Sequence, residues 1–332
     1  MLMSKIVDWD GHIGRRLRLR DLRVFLMVMQ SGSLAKAAAQ LRVTQPAVSQ
    51  VIADLEHNVG AKLFDRGRRG VEPTVYAHAL LSRSRAVFDE LKQGLRDIEF
   101  LAGAESGEVR IGSTAATTDV LLPPLLHRFS QRYPRVVVHI EEVPIPALDV
   151  SGLRDRKLDL ILGRLLMPVT DTAMADLSIE SLFHDQLVIA AGPRNRWARR
   201  NKIDLAELVD EPWVLPPAYS WNYRCLAEAF GERGLSPPKP NFVTFSTSLR
   251  TYLLAHGPYL TSTATSAVLF SPNRQSLKVL PVDLPVRPWH IAVLRLANRT
   301  LSPVVDRFVE CAREVARTMV GERRVSPVVN RH

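Results

Sequence analysis

Apolar residues at Leu22, Phe25, Leu26 and Met29 fall on one face of a helix. Ser33 then stands where a cap belongs, ahead of the alanine-rich run LAKAAAQL. LRVT makes a turn, and Thr44 is set to cap a third helix packed through Ala47, Val48, Val51, Ile52 and Leu55. Pro46 falls in the first turn of that helix, where its missing N–H costs nothing, and Gly60 ends it. KLFDRGRRGVEPT predicts a short strand pair around a basic, glycine-containing loop.

From Val75 to about Ala102 the pattern predicts a long helix. Ala77, Leu80, Ser84, Val87, Leu91, Leu95, Ile98 and Leu101 follow the three-four alternation of a coiled-coil seam. Gly94 weakens it by roughly 1 kcal/mol against alanine. At 1.5 Å per residue the helix reaches on the order of 40 Å, enough to hold two domains apart. With GAESGE following as a linker, the seam points to dimerisation; a helix packed on its own domain is the plainer alternative.

The remaining chain alternates strands with helical segments. EVRIGS, PRVVVHIEEV, DLILGRL, QLVIAAG, EPWVLPP, NFVTFST and HIAVLRLA read as strands, and ALDVSGLRDRKL as a helix. This pattern predicts an α/β fold of two small lobes, with a mostly parallel sheet covered on its faces. The final helix, SPVVDRFVECAREVART, is expected to pack back on a lobe.

Composition narrows the function. At 332 residues the chain fits two or three domains, and 46% hydrophobic with 23% charged residues is ordinary globular composition. A formal charge of +10 favours a polyanionic partner, nucleic acid before an anionic membrane. The two cysteines, Cys225 and Cys311, are far apart and suit free thiols in a reducing compartment. MLMSKIVDWDGHIGRRLRLR has acidic residues where a signal peptide needs an apolar core. No stretch reaches the length of a membrane span, so a soluble, cytoplasmic protein is expected.

Three short helices followed by a basic loop fit a winged helix-turn-helix, whose last helix enters the major groove N-terminus first. Thr44 can both cap that helix and touch a phosphate, because free N–H groups there attract anions. Gln45 and Gln50 can pair with adenine, Ser49 with several bases, and Pro46 can meet a thymine methyl. Arg66, Arg68 and Arg69 on the wing suit phosphates or a narrow minor groove. The plainer alternative makes Thr44 and Ser49 only caps and solvent-facing polars.

SGSLAKAAAQLRVTQPAVSQVIADLEHNVGAKLFDRGRRGVEPT resembles the DNA-binding domain of the LysR-type transcriptional regulators. The resemblance rests on Ser33, Ala37 and Ala38, the run Gln45-Pro46-Ala47-Val48-Ser49, Leu55-Glu56, Gly60, and Leu63-Phe64 with Arg66. It continues through a linker helix, E-V-R-I-G with L-L-P, and L-D-L-I-L-G-R-L, so nearly the whole chain is covered. RLRLRDLRVF and LGRL look most like the sugar-responsive and protocatechuate-responsive subgroup. The resemblance implies a cytoplasmic homo-oligomeric regulator, a dimer or more usually a tetramer, that binds an inverted-repeat, A·T-rich operator and works with RNA polymerase. It implies winged domains paired through antiparallel linker helices. It also implies a small effector, an organic acid or sugar, held between two lobes of periplasmic-binding-protein type. Ser33 joins the DNA-contact candidates on this ground. The expected divisions are 19–74 for the winged domain, 75–102 for the linker helix, 103–108 for a hinge and 109–325 for the effector domain. Two residues depart from the pattern: Gln50 stands where arginine or lysine is common, and Pro73 where leucine is common.

Open α/β sheets bind ligands at the carboxyl ends of strands, near helix starts. Ser113, Thr114 and Thr117 crowd hydroxyls at one such start, and Ser246, Thr247 and Ser248 at another. Facing one another, they would clamp an anionic or polyhydroxylated molecule. Relatives often carry a hydroxyl where this chain has Ala115 or Ala116. Thr261 adds a hydroxyl at a strand end, and Arg164 follows a strand and suits an acid or an ion pair between lobes. Tyr219 and Trp221 can wall the site.

Two other classes are weighed. An enzyme would need a signature, and G-x-S-x-G, H-E-x-x-H, the Walker loop and G-x-G-x-x-G are all absent from the sequence. Its nine histidines are scattered, so neither a cofactor nor a metal is expected. A sequence-indifferent DNA packer would leave the C-terminal lobes without a purpose.

Overall fold

The computed structural model describes residues 17–67, 70–100, 102, 106–143, 148–166, 172–270 and 274–325. The chain divides into two units, Met1–Gly94 and Leu95–His332.

In the first unit, α1 (Leu19–Ser31), α2 (Leu34–Leu41) and α3 (Gln45–Val59) precede a hairpin of β1 (Phe64–Gly67) and β2 (Gly70–Pro73). Leu22, Phe25 and Val28 of α1 bury against Ala37 and Ala38 of α2 and Val48, Ile52 and Leu55 of α3. Burial at every third residue makes the apolar stripe of an amphipathic helix, with the predicted Leu26 and Met29 half-buried at its edge. Leu63 and Phe64 close the core, with the Phe25 and Phe64 ring centroids 5.7 Å apart. Ser33 caps α2 by accepting from Lys36 N at 3.5 Å. Arg42 ends α2 in the left-handed region at φ 56, so the turn into α3 rests on a non-glycine residue.

Glu56 ties the hairpin to α3: its Oε1 accepts from Leu63 N at 2.7 Å and Phe64 N at 3.1 Å. Gly70 sets the hairpin against the α1–α2 turn. It holds φ 125, and an added Cβ would lie 2.8 Å from the Gly32 carbonyl oxygen. Only glycine adopts that backbone without strain.

The long helix α4 (Val75–Glu99) follows. Thr74 accepts from Ala77 N at 3.3 Å, so the helix start is capped directly after Pro73. Of the predicted seam, Ala77 and Ser84 are buried, whereas Val87, Leu91, Leu95 and Ile98 are 41–65% exposed. Leu101 lies outside the described residues.

The second unit holds two five-stranded sheets. The first lobe is built from β3 (Gly107–Ser113), α5 (Ala115–Val120), α6 (Leu122–Arg132), β4 (Val136–Glu142), α7 (Ser151–Arg154), β5 (Leu160–Leu165) and β6 (Leu177–Asp185). The second lobe follows: β7 (Leu187–Ala191), β8 (Trp213–Leu215), α8 (Trp221–Glu232), β9 (Pro240–Val243), α9 (Thr247–His256), β10 (Leu260–Ala264), α10 (Thr265–Leu269) and β11 (Lys278–Val279). The chain then returns to the first lobe through β12 (Trp289–Leu296) and α11 (Pro303–Val325). The strand orders are β4-β3-β5-β12-β6 and β11-β7-β10-β8-β9.

Both sheets are mixed, which corrects the expectation of mostly parallel pairing. β3 runs parallel to β4 and β5, but β12 is antiparallel to β5 and β6. β10 is parallel to β8 and antiparallel to β7. The cause is the return of the chain: β12 enters its sheet from the other lobe. Within ALDVSGLRDRKL only Ser151–Arg154 is helical among the described residues, because Arg156 adopts φ 57 and turns the chain toward β5. Strand β6 was not anticipated. Its alternation is broken at Leu182, which the register Ile291↔Phe183, Ala292↔Ser181 leaves as a bulge.

α11 packs back on the first lobe as expected. Phe308 meets Phe129 edge-on at 5.0 Å, and Arg313 donates to Glu180 at 2.6 Å. A fully buried ion pair, Arg299 with Asp159 at 2.8 Å, joins the chain after β12 to the start of β5. Asp159 also accepts from Arg110 N at 2.8 Å, so its second oxygen is satisfied. Among the described residues no helix is long and apolar enough to cross a membrane.

Gly70→Ala is expected to destabilise the N-terminal unit by about 2 kcal/mol, from backbone strain and the approach to Gly32. Urea unfolding followed by α-helical circular dichroism measures this as an earlier first transition. Cys225 and Cys311 are both buried, and burial pushes the Cys225 thiol up to about 11 and raises that of Cys311. Native protein at pH 8 should therefore leave both thiols unmodified by a chromogenic disulfide reagent, and denatured protein should release both.

Candidate functional site

The first candidate surface is the start of α3. Thr44 has extended backbone and accepts from Ala47 N at 3.4 Å, so it caps the helix as predicted. Thr44, Gln45, Pro46 and Gln50 are exposed and Ser49 is half-buried, while Val48 one position earlier is buried. The buried face fixes the rotation of the helix, and the polar tip is what remains outside. Gln50 donates through Nε2 to Asp54 at 2.8 Å, one turn along the same helix. That bond restrains the Gln50 side chain along its own helix. Ser33 is half-buried and engaged in capping α2.

Arg66 pairs in register with Val71 in the hairpin, and its side chain lies outside the described residues, as do Arg68 and Arg69. Sequence reasoning passed over Arg42, exposed and left-handed just before Thr44. Its only signal was an arginine inside the turn tetrapeptide.

The second candidate site lies where the two lobes meet. Ser113, Thr114 and Thr117 are each 1% exposed or less. The Thr117 hydroxyl is 2.8 Å from Ser113 Oγ, 3.1 Å from Thr114 Oγ1, and within donating reach of Leu162 O at 2.9 Å. Thr118 donates to Ser113 Oγ at 2.9 Å. These hydroxyls satisfy one another and pin the start of α5 to β5.

In the second hydroxyl cluster Ser246 and Ser248 are exposed and Thr247 is half-buried. Ser246 caps α9 by accepting from Leu249 N at 3.2 Å, and its hydroxyl lies 3.1 Å from that of Ser248. Thr247 crosses to the first lobe and donates to Asp119 Oδ2 at 2.8 Å. The start of α9 therefore meets the last turn of α5, not the hydroxyl cluster at its start. Thr261 is buried in β10 and donates to Val214 O at 2.7 Å, so its hydroxyl is used inside the sheet.

Arg164 ends the accessible part of β5. Its Nη1 donates to Asn222 Oδ1 of the second lobe at 2.7 Å. Its guanidinium carbon lies 4.7 Å from the Trp289 ring centroid and 5.9 Å from that of Trp221. Burial pushes its pKa down to about 10, opposed by the charge of Asp185. The partner across the lobes is a neutral amide, and no ion pair of Arg164 occurs among the described residues. The indole nitrogens of Trp221 and Trp289 are buried with no hydrogen-bond partner among the described residues. Tyr219 is exposed and packs on Phe245 instead, with ring centroids 5.7 Å apart.

Asp185 holds the crossing between lobes. Its carboxylate accepts from Gln186 N at 2.9 Å, Ser266 N at 3.2 Å and Ser266 Oγ at 2.5 Å. Asp119, Asn222 and Arg250 were not singled out from the sequence. Each is an isolated polar residue on a helix, which looks like a solvated position until the lobes are brought together. A concavity of about 400 Å³ between Val209 and Asn241 contains none of the predicted residues. Among the described residues no three His, Cys, Asp or Glu side chains gather as a metal site.

Comparison with known proteins gives two matches along the chain. Residues 19–78 match the bacterial regulatory helix-turn-helix protein, lysR family, and residues 102–317 match the LysR substrate binding domain. The HTH-type transcriptional regulator YdcI of Escherichia coli is 27% identical over 308 residues, covering 93% of this chain and 99% of that protein. GbpR of Azospirillum brasilense, also an HTH-type transcriptional regulator, is 29% identical over 294 residues, 87% of this chain and 83% of its own. Full-length OxyR from Pseudomonas aeruginosa shares the fold with a TM-score of 0.58 at 22% identity, over 90% of this chain and 97% of that one.

Proposed function

The chain belongs to the LysR family of bacterial transcriptional regulators, and from that premise we propose how its residues divide the work. A LysR-type regulator binds DNA through the helix-turn-helix and carries an effector-binding domain behind it. We assign 19–74 to DNA contact, 75–102 to the linker helix, 103–108 to a hinge and 109–325 to effector sensing. The family is one of regulators, and we assign the chain no catalytic role.

The observation that carries the DNA reading is the exposed tip of α3 above a buried Val48, Ile52 and Leu55. Gln45 and Ser49 reach base edges, Pro46 meets a thymine methyl, and Thr44 and Ser33 meet phosphates. Gln50 joins them by exchanging Asp54 for a base. Arg66, Arg68 and Arg69 hold the flanking backbone or minor groove. The operator is an inverted repeat rich in A·T pairs.

The exposed Val87, Leu91, Leu95 and Ile98 of α4 support pairing of two chains through this helix. Pairs assemble further into a homotetramer in the cytoplasm and act on RNA polymerase. The small effector binds where Ser113, Thr114, Thr117, Arg164, Ser246, Thr247, Ser248 and Thr261 surround the junction of lobes. Ser113, Thr114, Thr117 and Thr261 act there through the backbone they position, since their hydroxyls are buried and engaged. Binding favours one lobe arrangement, and the regulator shifts population accordingly.

Replacing Gln45, Pro46 and Ser49 together by alanine should weaken specific operator binding about a hundredfold while non-specific binding persists. Fluorescence anisotropy with matched operator and scrambled duplexes measures both, and affinity should fall as salt rises. Wild-type affinity in the triple variant would sink the DNA assignment. Leu91→Glu with Leu95→Glu should shift the chain toward monomer in sedimentation velocity, and an unchanged assembly would exclude pairing through α4.

A further inference from the structure

The lobe junction contains a second arginine with unusual surroundings. Arg250 sits in the first turn of α9. Its Nη2 donates to Thr247 Oγ1 at 3.4 Å, and Thr247 in turn donates to Asp119 of the opposite lobe at 2.8 Å. Nε and Nη1 of Arg250 are sealed from solvent and have no hydrogen-bond partner among the described residues. Three guanidinium donor groups are thus held at the lobe boundary with little to accept from them.

A buried guanidinium is costly unless an acceptor shares its charge. Asp119 is the carboxylate that acts on Arg250, and it opposes the burial that lowers the arginine's pKa. One of its oxygens already accepts from Thr247. The same imbalance recurs at Arg164, where the unpaired indole nitrogens of Trp221 and Trp289 add donors and Asn222 supplies a neutral acceptor. The junction has donors in excess. A neutral sugar adds a donor with every hydroxyl and carries no compensating charge, so it leaves the buried cation unanswered. A carboxylate or phosphate brings acceptors alone, and arginine meets such groups with two parallel bonds.

We infer that Arg250 anchors an anionic group, carboxylate or phosphate, of the effector, and so selects acids over neutral sugars. This rests on the reading of the lobe junction as the effector site.

The test is differential scanning fluorimetry of the full chain at constant ionic strength. The probes are inorganic phosphate, gluconate, glucose 6-phosphate and benzoate, with glucose and benzyl alcohol as uncharged counterparts. At least one anionic probe is expected to raise the wild-type midpoint by about 5 °C at saturation, its uncharged counterpart leaving it unmoved. Arg250→Met should abolish the shift, and Arg250→Lys should keep part of it. Gluconate against glucose 6-phosphate decides which anion is preferred. Without probe, Arg250→Met should melt no lower than wild type, because an apolar chain of similar length replaces an unpaired charge. Arg250→Gln serves if the methionine variant fails to fold.

Equal responses of wild type and variant to every anion, absence of response included, overturn the inference. So does a shift by glucose equal to that by gluconate. Operator binding by wild type and the α3 variant is scored separately. A chain that binds its operator but fails the anion test loses this assignment alone.

Discussion

A helix can offer a polar tip to a partner only if its other face is held against rotation. Val48, Ile52 and Leu55 provide that hold in α3, buried among α1 and α2. A shift by one residue turns an α-helix by about 100°, so Gln45 and Ser49 face outward only in the register these three impose. Glu56 extends the constraint beyond the helix, because its carboxylate carries the entry to the hairpin. α3 and the start of the hairpin are therefore tied together. Burial sets the orientation of the helix, and two charge-assisted bonds set the placement of the hairpin's start.

The second unit solves a different problem. Its two sheets share a continuous core, yet the chemistry collects at their junction, where polar groups from both lobes reach across. Thr247 with Asp119 and Arg164 with Asn222 are two bonds of this kind. The buried hydroxyls of Ser113 and Thr117 stiffen the lobe surface behind them. Here the buried hydroxyls fasten the lobe, and the Arg250 guanidinium is left under-satisfied. The regulator function follows from joining this junction to a DNA-reading unit in one chain.

The helix-turn-helix was legible because each of its signals is local. A cap at Thr44, a proline in the first turn, the spacing of Val48, Ile52 and Leu55, and Gly60 at the end all fall within one segment. Strands such as Leu187–Ala191 were legible from continuous apolar runs. Strand direction was not, because alternation says nothing about which neighbour a strand meets, and β12 joins its sheet from far along the chain. β6 escaped because the bulge at Leu182 breaks the period of two. Arg250 and Asp119 escaped for a deeper reason. An isolated charge on a helix reads as solvated, and what makes these two special is 130 residues of intervening chain folding them together.

The passages between the lobes carry one more implication. β6 and β7 belong to different sheets, yet Gln186 alone separates them, and its carbonyl is held by Thr265 N at 2.9 Å. The return path, from Val279 to Trp289, contains Pro281, Pro285 and Pro288, whose rings lock the backbone. A pinned pivot beside a stiff strut resists stretching and sliding. Both passages hold separation more tightly than angle, so relative rotation is the lobe motion on which the proposed effector would act.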